Sequence, residues 1–183
     1  MSLRDLTPYV ATFGLVAGLI IAWHFFGSRR KEPHSRSDTL DYSKIVFLDA
    51  EDLAETGIRK AYESLWPELQ KHVPQPAPIE EVIDDKAARY AVKYGTRDFV
   101  IYSPDLDDNE AEGWARATVA FFTIVNDQLA HSPYRFYAIN GGNDLGGMFL
   151  TPVQAVAVRK TLPNRTDWPY LPKDEPDWYG QYH

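Results

Sequence analysis

The feature that most constrains this chain is an apolar run near its amino terminus. Residues 6–27 read LTPYVATFGLVAGLIIAWHFFG and contain no Asp, Glu, Lys or Arg. A helix of about 20 such residues spans the roughly 30 Å hydrocarbon core of a bilayer. A cleaved signal peptide and a buried helix are the alternatives, but the larger basic cluster follows the run and the run has no polar stripe. The sequence therefore predicts a transmembrane helix after a short head, residues 1–5.

Basic residues on the two sides of this run predict its orientation. Arg4 precedes the run, whereas four basic residues follow it closely: Arg29, Arg30, Lys31 and Arg36. Because Lys and Arg accumulate on the cytoplasmic side of membrane segments, we expect the carboxyl-terminal part of the chain to be cytoplasmic. The chain is then a single-pass membrane protein with a basic cluster at the lipid surface.

A face of small residues runs along the predicted transmembrane helix. Gly14, Gly18 and Ala22 recur at spacing four, which allows two helix backbones to approach closely. This face would form a homodimer or a contact with a larger membrane protein. Small residues are also common in spanning helices that have no partner, so both interpretations stay open.

Beyond the membrane segment, the pattern of polar and apolar residues predicts one folded domain. Residues 28–43 are polar and without apolar periodicity, as in a juxtamembrane linker. Residues 44–164 carry the periodic segments of an α+β domain, in the order β-α-ββ-α-ββ-α. Paired strands with short connections indicate a mainly antiparallel sheet packed against helices. Residues 165–183 form an aromatic and proline-rich tail.

Local signals place the first elements of this domain. Asp49 is predicted to cap a helix along which apolar residues recur as far as Leu69, with a kink or a restart at Pro67. The GTRD turn within residues 88–104 predicts a β-hairpin, because apolar and polar residues alternate before it. A helix over residues 86–94 is the alternative.

Similar signals place the later elements. Asn109 and Glu112 have the spacing of a capping box, and a widely apolar helix extends from them to Leu129. Two further strands flank the glycine-rich residues 137–149. Pro152 is predicted at the first position of the last helix.

The composition excludes several classes of function. The chain has no Cys, which removes thiol nucleophiles, zinc–thiolate sites and iron–sulfur clusters. Its net charge of -7 argues against nucleic acid as a partner, because phosphate binding needs a basic surface.

The acidic run at residues 105–113 does not match an EF-hand loop, because Glu110 and Arg116 stand where glycine and glutamate are required. No two His have zinc-site spacing. We therefore expect neither a metal nor a cofactor.

The stretch YAINGGNDLGGMF at residues 137–149 is the main candidate for a binding site. Its glycines do not match dinucleotide-binding or P-loop spacing, and a strand follows them instead of a helix. A turn in which Asn and Gly residues adopt positive φ accounts for the stretch. The alternative is that Asn140, Asn143 and Asp144 bind a polar ligand or the backbone of a partner.

The tail is a second candidate for binding. It carries four aromatic residues that we select as anchors: Trp168, Tyr170, Trp178 and Tyr179. Such a segment is too proline-rich for a helix and too aromatic for ordinary disorder. Its rings either fill grooves on the domain or are presented to a partner protein.

Together these features favour a non-enzymatic function. We expect a membrane-anchored interaction module that binds a protein partner at the membrane surface, as a toxin-immunity protein or an accessory subunit of a membrane complex does. The alternative is a membrane-tethered hydrolase or transferase at the loop of Asn143 and Asp144. Such an enzyme would need a second carboxylate, so that one acts as acid and the other as base.

Overall fold

The computed structural model describes residues 40–106 and 110–174. The described part of the chain contains the following helices and strands, in chain order: β1 (Val46–Phe47), α1 (Ala50–Glu55), α2 (Ile58–Leu69), β2 (Glu80–Asp84), β3 (Arg89–Tyr94), β4 (Arg97–Tyr102), α3 (Glu110–Gln128), β5 (Arg135–Ile139), β6 (Gly146–Leu150) and α4 (Pro152–Thr161). Three short 3-10 turns occur at Tyr42–Lys44, Gly142–Asp144 and Arg165–Asp167.

Several predictions fall outside the described residues. They are the transmembrane helix with Gly14, Gly18 and Ala22, and the tail residues Trp178 and Tyr179. Within residues 40–106 and 110–174, no helix is both long and apolar enough to cross a membrane.

The α+β class is confirmed, but the prediction of one sheet is wrong. The strands form two antiparallel sheets, with strand orders β1-β6-β5 and β2-β3-β4. The long helix α3 lies between β4 and β5 in the chain and contacts β4 of one sheet and β5 of the other. Because α3 lies against both sheets, each hairpin covers a different part of its apolar surface.

Two apolar clusters hold the described domain together. The larger one lies around α3, where the rings of Phe122 and Phe136 stack with centroids 5.0 Å apart. The smaller one lies on the other face of β5 and β6 and includes Tyr137, Met148 and Val158 of α4. Neighbouring strand residues such as Phe136 and Tyr137 belong to different clusters because side chains alternate along a strand.

The first helix differs from its prediction. Asp49 caps α1 as expected, accepting hydrogen bonds from the backbone N–H groups of Glu51 (2.8 Å) and Asp52 (3.2 Å). The helix is interrupted at Gly57 instead, and the restart expected at Pro67 is wrong because Pro67 lies inside α2. The alternative of a kink at Pro67 stays a prediction. Gly57 has φ 114°, a conformation outside the helical region that glycine adopts without steric cost.

The amino terminus of α2 is capped from another part of the fold. Gly57 has no side chain for this purpose, and the Glu81 carboxylate of β2 instead accepts the Arg59 N–H at 2.9 Å. The Tyr90 hydroxyl accepts the Ile58 N–H at 2.9 Å and donates to Glu81 at 2.8 Å. Two strands therefore satisfy two of the orphan N–H donors of this helix.

Strand β2 is missing from the predicted order of elements. The β3–β4 hairpin is confirmed, with Gly95 at φ 59° in its turn, and the helical alternative for residues 86–94 is wrong. The start of α4 is also confirmed, since Pro152 occupies its first turn behind a Thr151–Gln154 capping box. The predicted Asn109 cap lies outside the described residues.

Candidate functional site

The glycine-rich stretch is a turn followed by a strand. Asn140 (φ 55°) and Gly142 (φ 56°) have positive φ, whereas Gly146 and Gly147 are paired residues of β6. Gly147 is required for space, because a Cβ atom there would lie 2.0 Å from Cζ of Phe136. The expectation of positive φ is therefore correct for Asn140 and Gly142 and wrong for Asn143, Gly141, Gly146 and Gly147.

Asn143 and Asp144 lie on the surface beside α1. The Asn143 amide donates a hydrogen bond to the Glu51 carboxylate at 3.1 Å, and both Asn143 and Asp144 are exposed. The backbone N–H of Asp144 bonds to the Gly141 carbonyl within the 3-10 turn. This turn therefore brings an acidic residue of the loop close to the acidic helix α1.

The described part of the tail packs on the domain. The Trp168 indole N–H donates to the Leu162 carbonyl at 3.1 Å. Tyr170 pairs with Ala138 of β5 through two backbone hydrogen bonds of 2.8 and 3.0 Å. The Tyr170 hydroxyl donates to the Asn140 carbonyl, and burial raises the pKa of this hydroxyl. Asn140 and Tyr170, two predicted binding residues, thus bind each other.

The outer edge of β5 is closed by these and other contacts. Both backbone groups of Ala138 bond to Tyr170. Both backbone groups of Phe136 bond to the side-chain amide of Asn126 in α3, at 2.9 Å each. This edge therefore has few free groups with which another strand could pair.

The opposite edge of the same sheet is formed by the short strand β1. Phe47 is 86% exposed there, although it is a large apolar residue. A groove of about 350 Å³ runs between β1 and the helices α1 and α2. Asp49, Asp52 and Lys60 are among its lining residues, and Phe47 stands at its side.

A second groove, of about 220 Å³, continues from the first. Both grooves are lined by Thr56 and Gly57, and the second also includes Glu55 and the 67% exposed Ile83 of β2. We call the two grooves with Phe47 and Ile83 the Phe47–Ile83 surface. The two grooves meet at Thr56 and Gly57, and each has one exposed hydrophobic residue, Phe47 in the first and Ile83 in the second.

The charges around the Phe47–Ile83 surface are mainly acidic. Among the described residues, no Lys, Arg or His lies within ion-pair distance of Asp49, Asp52 or Glu55. Other acidic residues of the domain do have such partners, for example Asp127 with Arg97. The carboxylates of this surface are therefore not neutralised by ion pairs and give it a negative potential.

A separate cleft of about 620 Å³ lies where β6 extends past β1. The His72 ring stacks on Phe149 with centroids 4.4 Å apart and lies 4.5 Å from the ring of Tyr134. Burial lowers the pKa of His72. Two ion pairs line the same cleft, Lys71–Glu68 at 2.6 Å and Lys44–Asp41 at 2.9 Å.

No group of three or more His, Cys, Asp or Glu residues within residues 40–106 and 110–174 is placed to hold a metal ion. Asn143 donates a hydrogen bond to Glu51 and is the sequence neighbour of Asp144, so these two acidic residues lie near each other at the surface. No third acid or histidine of the described chain joins them to form a metal site.

Comparisons of the chain with protein-family models, with curated proteins and with solved structures find no match.

Sequence reasoning missed the residues that define these surfaces: Phe47, Ile83, His72, Asn126 and Phe149. Phe47 stands in the apolar run KIVFLDA, which indicates a buried strand and gives no sign that one side stays open. His72 follows a helix end and precedes prolines, with no neighbouring histidine. Their placement depends on contacts between distant segments, which a local pattern does not encode.

Proposed function

We propose that this chain is a non-enzymatic, membrane-anchored interaction module that binds a protein partner through the Phe47–Ile83 surface. In this proposal residues 6–27 hold the chain in the membrane as a single-pass anchor, with Gly14, Gly18 and Ala22 available for a homodimer or a membrane partner. The folded domain then faces the cytoplasm. The partner is a polypeptide with basic and apolar side chains, as a toxin or a subunit of a membrane complex can provide.

The observation that supports this proposal is the exposure of Phe47 beside an acidic groove. Removing a large apolar side chain from water contributes about 1.5–3 kcal/mol, so an 86% exposed Phe has most of this free energy still available. Exposed apolar residues grouped with polar rims are typical of protein-binding surfaces. The acidic residues Asp49, Asp52 and Glu55 would direct a basic partner to this surface.

Site-specific crosslinking in native membranes tests the proposal. A photoreactive phenylalanine analogue is placed at Phe47 in the full-length chain, and a second one is placed at Val153. Val153 is the matched control because it is also apolar and 78% exposed, but lies on α4. We expect one adduct of defined mass at position 47 and none at position 153.

Charge reversal provides the second arm of the experiment. Glu55→Lys changes the rim of the surface, and Asp174→Lys makes the same charge change at an exposed tail position. We expect Glu55→Lys to reduce the adduct at position 47 and Asp174→Lys to leave it unchanged. No adduct at position 47, or equal adducts at both positions, would contradict the proposal.

The second candidate is the hydrolase or transferase at the glycine loop. Its support is the Asn143–Glu51 hydrogen bond, which brings a second carboxylate to the loop of Asp144. Asp144→Ala separates the two candidates, because it removes an acid–base group without changing the Phe47 groove. An unchanged adduct at position 47 in this variant would favour the interaction module.

A further inference from the structure

The edge of β6 offers a backbone site that differs from the Phe47–Ile83 surface. β1 pairs only with Gly146 and Gly147, so the following residues of β6 extend beyond its end. Before Val46 the chain forms the 3-10 turn Tyr42–Lys44 instead of continuing as a strand, and this segment lines the cleft beside β6. Phe149 therefore has no strand neighbour on this side among the described residues.

The direction of the Phe149 backbone groups follows from its partner on β5. Phe149 lies opposite Phe136, and both backbone groups of Phe136 bond to Asn126 on the far side of β5. The pair is thus a non-hydrogen-bonded pair of an antiparallel ladder, in which the backbone groups of both residues point away from each other. The N–H and C=O of Phe149 therefore point away from β5, into the cleft.

The lining of the cleft confirms that the strand edge is its floor. His72 and the Phe149 ring lie on the face of the sheet that belongs to the larger core, whereas Met148 and Val158 belong to the smaller core on the other face. A cleft lined from both faces of a sheet contains the edge between them. Apart from the ladder of the sheet itself, no hydrogen bond among the described residues involves the N–H or C=O of Phe149.

From this geometry we infer that the cleft accepts an extended segment of a partner polypeptide, which adds as a strand to β6 at Phe149. A strand supplies both the acceptor and the donor that the Phe149 N–H and C=O require. A helix does not supply them, because its own backbone groups are already bonded along its axis. The inference holds whether or not a partner also binds the Phe47–Ile83 surface.

Strand geometry also defines the side chains of the bound segment. Neighbouring residues of an added strand point to opposite faces, so one meets the rings of His72 and Tyr134 and the next meets Met148 and Val158. The segment therefore alternates an aromatic or polar residue with an aliphatic one. The ion pairs Lys71–Glu68 and Lys44–Asp41 would exchange partners with charged residues of the segment.

Selection from a display library of random nine-residue peptides on the purified full-length chain tests this inference. Hydrogen exchange of the Phe149 amide is then measured with and without a selected peptide. We expect fast exchange in the free chain and slow exchange in the complex. Selected peptides should show alternating aromatic and aliphatic residues.

Replacing the Phe149 amide by an ester removes the N–H donor and retains the side chain. One hydrogen bond of about 0.5–1.5 kcal/mol corresponds to a roughly two- to tenfold loss of peptide affinity. The matched control is the same replacement at Val153, in the first turn of α4, where N–H groups have no partner within the helix. The control ester should leave the affinity unchanged.

Three results would overturn the inference. The first is that no peptide is selected, or that selected peptides leave the Phe149 amide unprotected. The second is that Phe47→Ala abolishes their binding, which assigns them to the Phe47–Ile83 surface. The third is protection of Phe149 before any peptide is added, which means that the chain covers this edge itself. The exchange measurement needs no variant, so it applies even if the ester chain does not fold.

Discussion

The two edges of the β1-β6-β5 sheet differ in how far their backbone groups are covered by other parts of the chain. At the β5 edge, Asn126 bonds both backbone groups of Phe136, and Tyr170 bonds both backbone groups of Ala138. At the other edge, β1 covers only two residues of β6, and Phe47 is exposed. The first edge is closed by a helix side chain and the tail, whereas the second borders grooves and a cleft.

This difference between the two edges is the basis for the binding sites that we propose. Unpaired strand edges promote unwanted association, and natural proteins protect them with side chains, bulges or covering segments. Among the residues that the structure describes, such protection is found at the β5 edge. The open edge is the one at which we propose that a partner binds, and the following changes test whether the two edges differ in stability as they do in contacts.

The largest effect is expected at the closed edge, from Asn126→Ala. This change leaves the N–H and C=O of the fully buried Phe136 without a partner. Each unsatisfied buried group costs about 1–3 kcal/mol. The free energy of unfolding, measured with urea, should fall accordingly. Asn143→Ala removes a single exposed hydrogen bond and is the control; equal effects of the two changes would show that the edge is not closed by Asn126.

The central strand between the two edges is tested by Gly147→Ala. The added Cβ would overlap the Phe136 ring, and overpacking of this kind costs about 1–3 kcal/mol. Gly146→Ala is the matched control, because its Cβ would lie 3.4 Å from the nearest atoms. Urea unfolding should separate the two variants clearly. Similar stabilities would mean that Phe136 can move aside.

Tyr170→Phe probes the tail at the closed edge. The change removes the hydroxyl that bonds to the Asn140 carbonyl and leaves the backbone pairing with Ala138 in place. A loss of about 0.5–1.5 kcal/mol in the free energy of unfolding is expected. Thermal unfolding measures it, with Tyr42→Phe at an exposed position as the control. An unchanged midpoint would argue against a contribution of this hydroxyl.

At the open edge, His72 should make stability depend on pH. Burial lowers its pKa below the ordinary value of 6.5, with Lys71 acting in the same direction and Glu68 against it. The folded state then binds fewer protons than the unfolded state, so stability falls as the pH drops below 6.5 and levels off below the folded pKa. His72→Phe keeps an aromatic ring and should flatten this dependence. The midpoint of thermal unfolding at several pH values would reveal the difference, and parallel profiles would refute it.

The smallest effect is expected from Phe47→Ala. Its side chain is exposed, so truncation should change the free energy of unfolding by less than about 0.5 kcal/mol. Val153→Ala is the control of similar exposure. A loss well above that of the control in urea unfolding would show that Phe47 supports the fold, and the contrast between the two edges would then be weaker than the contacts indicate.

Short-range signals explain the parts of the fold that could be predicted. Asp49 bonds to N–H groups two and three residues away, and Pro152 needs no N–H in the first helical turn. The β3–β4 turn needs a residue that accepts positive φ, which Gly95 provides. Each of these features depends on residues only a few positions apart, so the sequence shows them directly.

The predictions that were wrong depended on distant contacts. Gly57 ends a helix where Glu81 and Tyr90, more than twenty positions away, cap the next one. β2 has a weak strand pattern of its own and becomes a strand by pairing with β3. The glycines of β6 were interpreted as turn residues, although Gly147 is needed because Phe136 occupies the space of its side chain.

The sequence alone determined the α+β class, the Asp49 cap of α1, the start of α4 at Pro152, one hairpin and the absence of thiol chemistry. Tertiary structure decided the division into two sheets and the choice of which sheet edge is closed. The physical reason is that hydrogen-bond partners of an edge come from segments far apart in the chain, as Asn126 does for Phe136. Phe47 is likewise exposed because no other described element packs on its side chain, and only the arrangement of these elements reveals this.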